Sequence, residues 1–269
     1  MKSRNLPVVS LCVVATLCWT ATAFGRTPSP GMNVVTIRGE RQEIYYLPAS
    51  GTPLHQTVLF VPGVGGWRGW AVTIAETMAS WGYDVYGVDT KTYLDSFSGR
   101  GTLTEAEVTN DMCELADWAA NGSGKRVTFV GWSEGAGLGV LGAAGVASKN
   151  TFAGLITFGL TDENVIAWHW SENLTSLIKE PHEPTFRAGE YMGKVAPLPL
   201  WMIQSSHDQY VGLDEARRLF AGAHEPKRFE LVEGDNHRFD GNHQGFFLEL
   251  RNGLQWVSHA RPASLQTAK

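Results

Sequence analysis

Cysteine is scarce in this chain, and its placement makes it scarcer. Of three cysteines, Cys12 and Cys18 lie in an apolar amino-terminal run and only Cys113 lies beyond it. One cysteine closes no internal disulfide, so an exported form would depend on core packing. Cys113 falls in a segment of helical period and reads as a small apolar core residue. Positive charge is also in deficit: 22 Lys and Arg face 27 Asp and Glu, a net charge of −5. Nothing in that balance invites nucleic acid. The eight histidines form no His-Glu-x-x-His pair and have no cysteine partners, so no metal site and no cofactor is expected. No apolar run reaches the roughly 20 residues that a membrane-spanning helix needs.

The amino terminus has its own layout. Lys2 and Arg4 precede "LPVVSLCVVATLCW", and the small-residue stretch Ala21-Thr22-Ala23 follows. That is the order of a secretory signal peptide, with cleavage expected after Ala23 and no membrane span left once it is removed. The residues before Cys12 and Cys18 are Leu11 and Leu17, where lipid attachment favours a small residue. Removing residues 1–23 leaves 20 basic against 27 acidic residues, a net charge of −7. The remainder, 24–269, shows no internal repeat and no low-complexity linker, and reads as one domain.

Within it, strand-like and helix-like segments alternate. "NVVTIRG" and "QEIYYLP" suit an opening hairpin, and "TVLFVPG" is a buried strand ending in glycines. "WAVTIAETMASWG" spaces Ile74, Met78 and Trp81 along one helical face and stops at Gly82. "YDVYGVD" returns to a strand. From Thr104 to Gly122 there is a capping box (Thr104 with Glu107), an apolar stripe (Val108, Met112, Leu115, Ala119) and a terminating glycine. The strand "RVTFVG", the small-residue helix "EGAGLGVLGAAGVA" and the strand "FAGLITFG" follow. After an irregular stretch from about 161 to 196 come "PLWMIQS", "LDEARRLFAGA", "RFELVEG" and a last helix through "GFFLELRNGLQWV". Strands alternating with crossover helices imply an α/β fold with a mostly parallel central sheet covered by helices on both faces.

The chemistry begins at "TFVGWSEGAGLG", where Ser133 stands between Gly131 and Gly135. Gly-x-Ser-x-Gly between a buried strand and a helix matches the sharp turn that exposes a serine oxygen at a sheet edge. A side chain at either glycine would collide across so tight a turn, and Gly139 and Gly142 would let the helix approach the sheet closely. A serine hydroxyl is a weak nucleophile until a base takes its proton, so a histidine and an orienting acid are required. "PLWMIQSSHDQYV" runs from a strand into Asp208, and "RFELVEGDNHRF" runs from a strand into His237. The order serine, acid, histidine is the one this arrangement demands. His207 and His243 are the rival histidines; Asp235 and Asp240 flank His237 as loop acids or hydrogen-bond helpers. The oxyanion donors are expected at the backbone N–H of Glu134 and, in the glycine-rich turn "VPGVGGWRGW", of Val64, with Gly65 its neighbour.

With these residues in place, residues 57 to 258 resemble an α/β-hydrolase. More narrowly, "VPGVGGWRGW", "GVDTKTYL" and "GDNHRFDG" resemble the bacterial virulence-associated exported hydrolases of the VirJ and AcvB type. Two departures stand out: Val64 replaces the acidic residue of that group's "SGDGGW" loop, and its "GYSFGAD" elbow is "GWSEGAG" here. Both bear on substrate more than on the triad. The resemblance implies a periplasmic or secreted location and a small-molecule or lipid ester as substrate, aminoacyl-lipid esters included. It also implies a short cap insertion after the sixth strand, at about 161–196. That segment carries Trp168, Trp170, Leu174 and Leu177, which with Trp67 and Trp70 are candidates for an apolar pocket or, equally, for packing.

Three other functions compete with a serine esterase. A dinucleotide enzyme would use "GVGGWR" with Asp89, but Arg68 occupies the third glycine position of Gly-x-Gly-x-x-Gly. A non-catalytic exported binding protein could share the fold. An acyltransferase would use the same acyl-serine and a different acceptor. Oligomeric state is not legible.

Overall fold

The computed structural model describes residues 28–97, 103–120, 125–166 and 184–260. The proposed signal peptide, Trp168, Trp170, Leu174 and Leu177 lie outside the described residues.

Residues Gly31–Ile37 (β1) and Glu40–Leu47 (β2) form the expected antiparallel hairpin. Its two-residue turn places Arg38 and Gly39 at φ 48° and 84°, the left-handed pair that suits the twist of a tight hairpin. The remaining sheet strands are Thr57–Val61 (β3), Asp84–Val88 (β4), Val127–Trp132 (β5), Phe152–Phe158 (β6), Leu200–Ser205 (β9) and Lys227–Val232 (β10). They complete an eight-stranded sheet in the order β1-β2-β4-β3-β5-β6-β9-β10. From β4 to β10 every neighbouring pair is parallel, so the strands share one carboxyl edge.

Alternation along each strand decides which helices it meets. Leu59, Val61, Phe129, Leu155 and Met202 face a core built with Thr90–Ser96 (α2), Glu105–Ala119 (α3), Glu134–Ala144 (α4) and Leu213–Gly222 (α6). Val58, Phe60, Val130, Ile156 and Ile203 face the opposite core, against Trp70–Ser80 (α1) and His243–His259 (α7). The capping box opens α3 as its sequence predicts: Thr104 Oγ1 accepts the Glu107 N–H at 3.2 Å, and Glu107 Oε2 accepts the Thr104 N–H at 2.8 Å. Chain direction changes at Gly82, at φ 99°, where a Cβ would meet the Thr52 carbonyl oxygen at 2.1 Å.

The stretch between β6 and β9, expected to be irregular, contains a small antiparallel ribbon of Glu163–Val165 (β7) and Thr185–Arg187 (β8). Two 3-10 turns follow, at Ala188–Glu190 and Met192–Lys194. Two short helices escape the sequence reading: α2, and Ser148–Thr151 (α5). Among the described residues no helix is long and apolar enough to cross a membrane.

Candidate active site

Ser133 follows the last residue of β5 and caps α4 with φ 55° and ψ −122°. A non-glycine residue in the left-handed region is held there only by its surroundings. Here the surroundings are the two glycines: a Cβ at Gly135 would lie 1.9 Å from the Val61 carbonyl oxygen, and one at Gly131 would lie 2.5 Å from that of Gly135. The Ser133 N–H donates to the Phe158 carbonyl of β6 at 2.9 Å, which ties the turn to the neighbouring strand. Gly139 packs on Phe129 and Leu155 of the sheet as expected. Gly142 instead admits Met112 of α3, 2.8 Å from where its Cβ would be. One glycine face of α4 thus meets the sheet and another meets a helix.

Asp208 and His237 are brought together. His237 Nδ1 lies 2.7 Å from Asp208 Oδ2. The Asp208 side chain is fully buried and that of His237 nearly so. The backbone N–H groups of Tyr210 and Val211 donate to Asp208 Oδ1 at 2.9 and 3.0 Å. Burial by itself would raise the proton affinity of Asp208, but the hydrogen bond and charge of His237 and the two N–H donors outweigh it, leaving the carboxyl below its ordinary pKa. The His237 N–H donates to Gln209 Oε1 at 3.0 Å.

The imidazole is lodged beside the serine turn. Its ring centroid is 5.8 Å from that of Trp132, the residue before Ser133. A Cβ at Gly159, the residue after the Ser133 hydrogen-bond acceptor, would come 2.4 Å from His237 Cε1. The edge of Tyr210, a 69% exposed side chain, closes another side at 5.2 Å. Ser133 Oγ and His237 are not hydrogen-bonded in this conformation; in unliganded sites such bonds often tighten only with substrate. The rival histidines are engaged elsewhere. His207 Nδ1 lies near Ser206 Oγ and the Gly234 carbonyl, and His243 stacks on Trp70 and pairs with Asp240. Asp240 Oδ2 also accepts from Asn236 at 2.7 Å, fixing the His237 turn.

Gly63 approaches the serine most closely from β3: its Cβ would sit 3.1 Å from Ser133 Cβ. Val64, 43% exposed, follows it. Among the described residues, the backbone N–H groups of Val64 and Gly65 donate to no backbone carbonyl, and Glu134 N–H belongs to the positive end of α4. The turn is braced by residues whose part in it sequence reasoning missed. Thr90 Oγ1 donates to the Pro62 carbonyl at 2.7 Å, and Asp89 Oδ2 accepts the Trp67 N–H at 3.3 Å while its Oδ1 caps α2 at Thr92. Gly66, at φ 71°, makes room for that carboxylate. Asp89 therefore faces the glycine loop itself.

Trp67 stacks on Tyr45 at 5.0 Å and covers Gly87, where a Cβ would overlap its ring. Trp70 packs among His243, Phe246 and Phe247. The Glu134 side chain, 8% exposed, turns to the insertion: its Oε1 accepts the Val165 N–H at 2.6 Å. Beside it Asn164 lies against Gly137, where a Cβ would come 2.0 Å from its Oδ1. The ribbon is thus pinned to the first turns of α4.

Residues 55–145, from β3 through α4, match the family described as bacterial virulence protein (VirJ). No curated protein matches the chain in sequence. Among solved structures the chain is similar to a dienelactone hydrolase from Anabaena variabilis, with a TM-score of 0.62, 15% identity and coverage of 88% of this chain and 100% of that one. A soluble variant of monoglyceride lipase from Saccharomyces cerevisiae gives a TM-score of 0.60 at 14% identity, covering 87% and 96%. The esterase domain of a Rhodothermus marinus protein gives 0.56 at 18% identity, covering 84% and 98%. Sheet order, the strained serine turn after β5 and these likenesses agree that the chain has the α/β-hydrolase fold.

Proposed function

We propose that this protein is an exported serine hydrolase that cleaves carboxylic esters through an acyl-enzyme on Ser133. The observation that carries the reading is the 2.7 Å bond between His237 Nδ1 and Asp208 Oδ2, with the ring lodged beside a serine held at φ 55°. In that arrangement His237 Nε2 takes the hydroxyl proton as Ser133 Oγ attacks the ester carbonyl. Asp208 keeps the imidazole in the tautomer that leaves Nε2 free and stabilises the imidazolium that forms. The N–H groups of Glu134 and Val64 receive the oxyanion, aided by the end of α4. Collapse of the tetrahedral intermediate expels the alcohol, which takes the proton from His237. Water, activated by the same imidazole, then releases the acid.

The amino-terminal layout supports export, and the VirJ match over β3 to α4 supports a bacterial periplasmic or secreted setting. Esterase and lipase names among the similar structures favour an ester, with lipid or aminoacyl-lipid esters as the class to try first. The deciding experiment is labelling of the mature protein by a fluorophosphonate, with Ser133→Ala as control and folding of both checked by circular dichroism. Labelling confined to wild type is expected. A folded wild type that never labels would overturn the reading. Turnover of a labelled ester with and without an added alcohol then separates hydrolysis from acyl transfer.

A further inference from the structure

Gln204 is a long polar side chain at 0% exposure on β9, four residues before Asp208. Its Nε2 lies 3.3 Å from Asp208 Oδ2, 3.1 Å from the Val211 carbonyl and 3.3 Å from the Ser205 carbonyl. Its Oε1 is buried without a hydrogen-bond partner. The three acceptors fix the amide's orientation: turned over, the amide would set its oxygen against a carboxylate oxygen and two carbonyls, none with a proton to give. A buried acceptor left unpaired costs stability, and an apolar side chain of similar volume would avoid that cost. Gln204 thus gives up one hydrogen bond in order to aim its donor end at the acid and across the turn that carries it.

We infer that Gln204 is a positioning residue for the Asp208–His237 pair. Asp208 Oδ2 receives both the imidazole Nδ1–H and the Gln204 amide, so the second donor fixes the lone pair that the first must meet. The amide also bridges both ends of the turn, at Ser205 and Val211, and holds that turn against the end of β9. It further withdraws negative potential from the carboxylate. Without it, the carboxylate turns more of its negative potential on the imidazole. This inference rests on the proposed role of Ser133, and its test is built to separate the two.

The probe is a fluorophosphonate, whose reaction rate with full-length mature protein is followed against pH for wild type, Gln204→Met and Gln204→Glu. The methionine variant removes the orphaned acceptor but also takes the donor from the Val211 and Ser205 carbonyls, so a modest fall in melting temperature is expected, and circular dichroism checks that it is folded. Its labelling rate at neutral pH is expected to fall about tenfold, the scale of a lost hydrogen bond to a charged group. The rising limb of its profile is expected to move to higher pH. In Gln204→Glu the buried carboxyl, set beside Asp208 and two carbonyls, keeps its proton and can still donate to Oδ2, so its limb is expected nearer to wild type than that of Gln204→Met. The titratable side chains nearest the pair, Tyr210 against the imidazole and His207 beside Asp208 in the chain, are unchanged in both variants. A looser fold would lower the rate without displacing the limb. Wild-type rate and wild-type pH profile in Gln204→Met would overturn the inference while leaving the hydrolase reading intact. A wild type that fails to label at any pH would overturn both, and the Ser133→Ala control identifies that case. If Gln204→Met does not fold, Gln204→Leu, which lacks the donor likewise, takes its place, and coincidence of its rate and limb with wild type would overturn the inference.

Discussion

His237 Nδ1 meets Asp208 Oδ2 at 2.7 Å across 29 residues of chain, because β9 and β10 are parallel neighbours that deliver both residues to one edge of the sheet. Asp208→Asn keeps the volume but offers the imidazole an amide in place of a charge. It is expected to lower fluorophosphonate labelling and ester turnover by about four orders of magnitude, as in serine enzymes whose acid is so altered. Circular dichroism should be unchanged. A loss of less than about tenfold would remove Asp208 from the proposed mechanism.

The same carboxyl makes the fold acid-sensitive with a definite sign. Its folded proton affinity is lowered, since the donors outweigh burial, so its contribution is present above the unfolded pKa of about 3.9 and fades as pH falls through the folded value. Melting temperature measured from about pH 6 downwards is therefore expected to drop more steeply in wild type than in Asp208→Asn, the curves separating above about pH 4 and converging below it.

Gly135→Ala would drive a methyl group to 1.9 Å from the Val61 carbonyl oxygen. Backbone on both sides leaves nothing flexible to yield, so a loss of about 3 kcal/mol or more is expected. Urea unfolding would check it, with Gly212→Ala as comparison, because nothing lies within 4 Å of that added carbon.

Asp89→Ala removes the acceptor of the Trp67 N–H and the cap of α2 together. About 1 kcal/mol of stability is expected to go with the cap. If the proposed Val64 donor depends on that brace, kcat falls roughly tenfold to a hundredfold with KM little changed. Steady-state kinetics on a soluble ester would separate the two effects, and a rise in KM alone would count against the brace.

Glu134→Ala leaves the Val165 N–H without its acceptor. A loss of about 1–3 kcal/mol is expected, and Glu134→Gln, which keeps an acceptor oxygen, should recover most of it. Hydrogen exchange at the Val165 amide would report the tie directly.

Much of this molecule was legible before the structure. The strands and long helices announce themselves through local period, the capping box of Thr104 and Glu107 is complete within four residues, and the elbow at Ser133 is a five-residue pattern. What escaped is short or joined across distance. Residues 90–96 make too few turns to show a stripe, and three-residue strands such as β7 have no alternation to read. The brace from Asp89 to Trp67 and the tie from Glu134 to Val165 link positions 22 and 31 residues apart. Gln204 had one signal, a long polar residue near the end of the apolar strand "LWMIQS", but its partner Asp208 lies past the strand, round a turn. Trp67 and Trp70 were recognisable as aromatics near the turn, yet only coordinates show them packed on Gly87 and His243.

The strand order has a temporal side. Ser133 and the Gly63–Gly66 turn belong to the first half of the chain, whereas Asp208 and His237 arrive with β9 and β10, the last two strands. Among the described residues β10 is also the outermost strand on its side, with β9 as its neighbour. A chain still emerging from the ribosome carries Ser133 long before it carries Asp208 and His237. On the proposed mechanism, reactivity is therefore a late property of this polypeptide, one that waits on the docking of an edge strand.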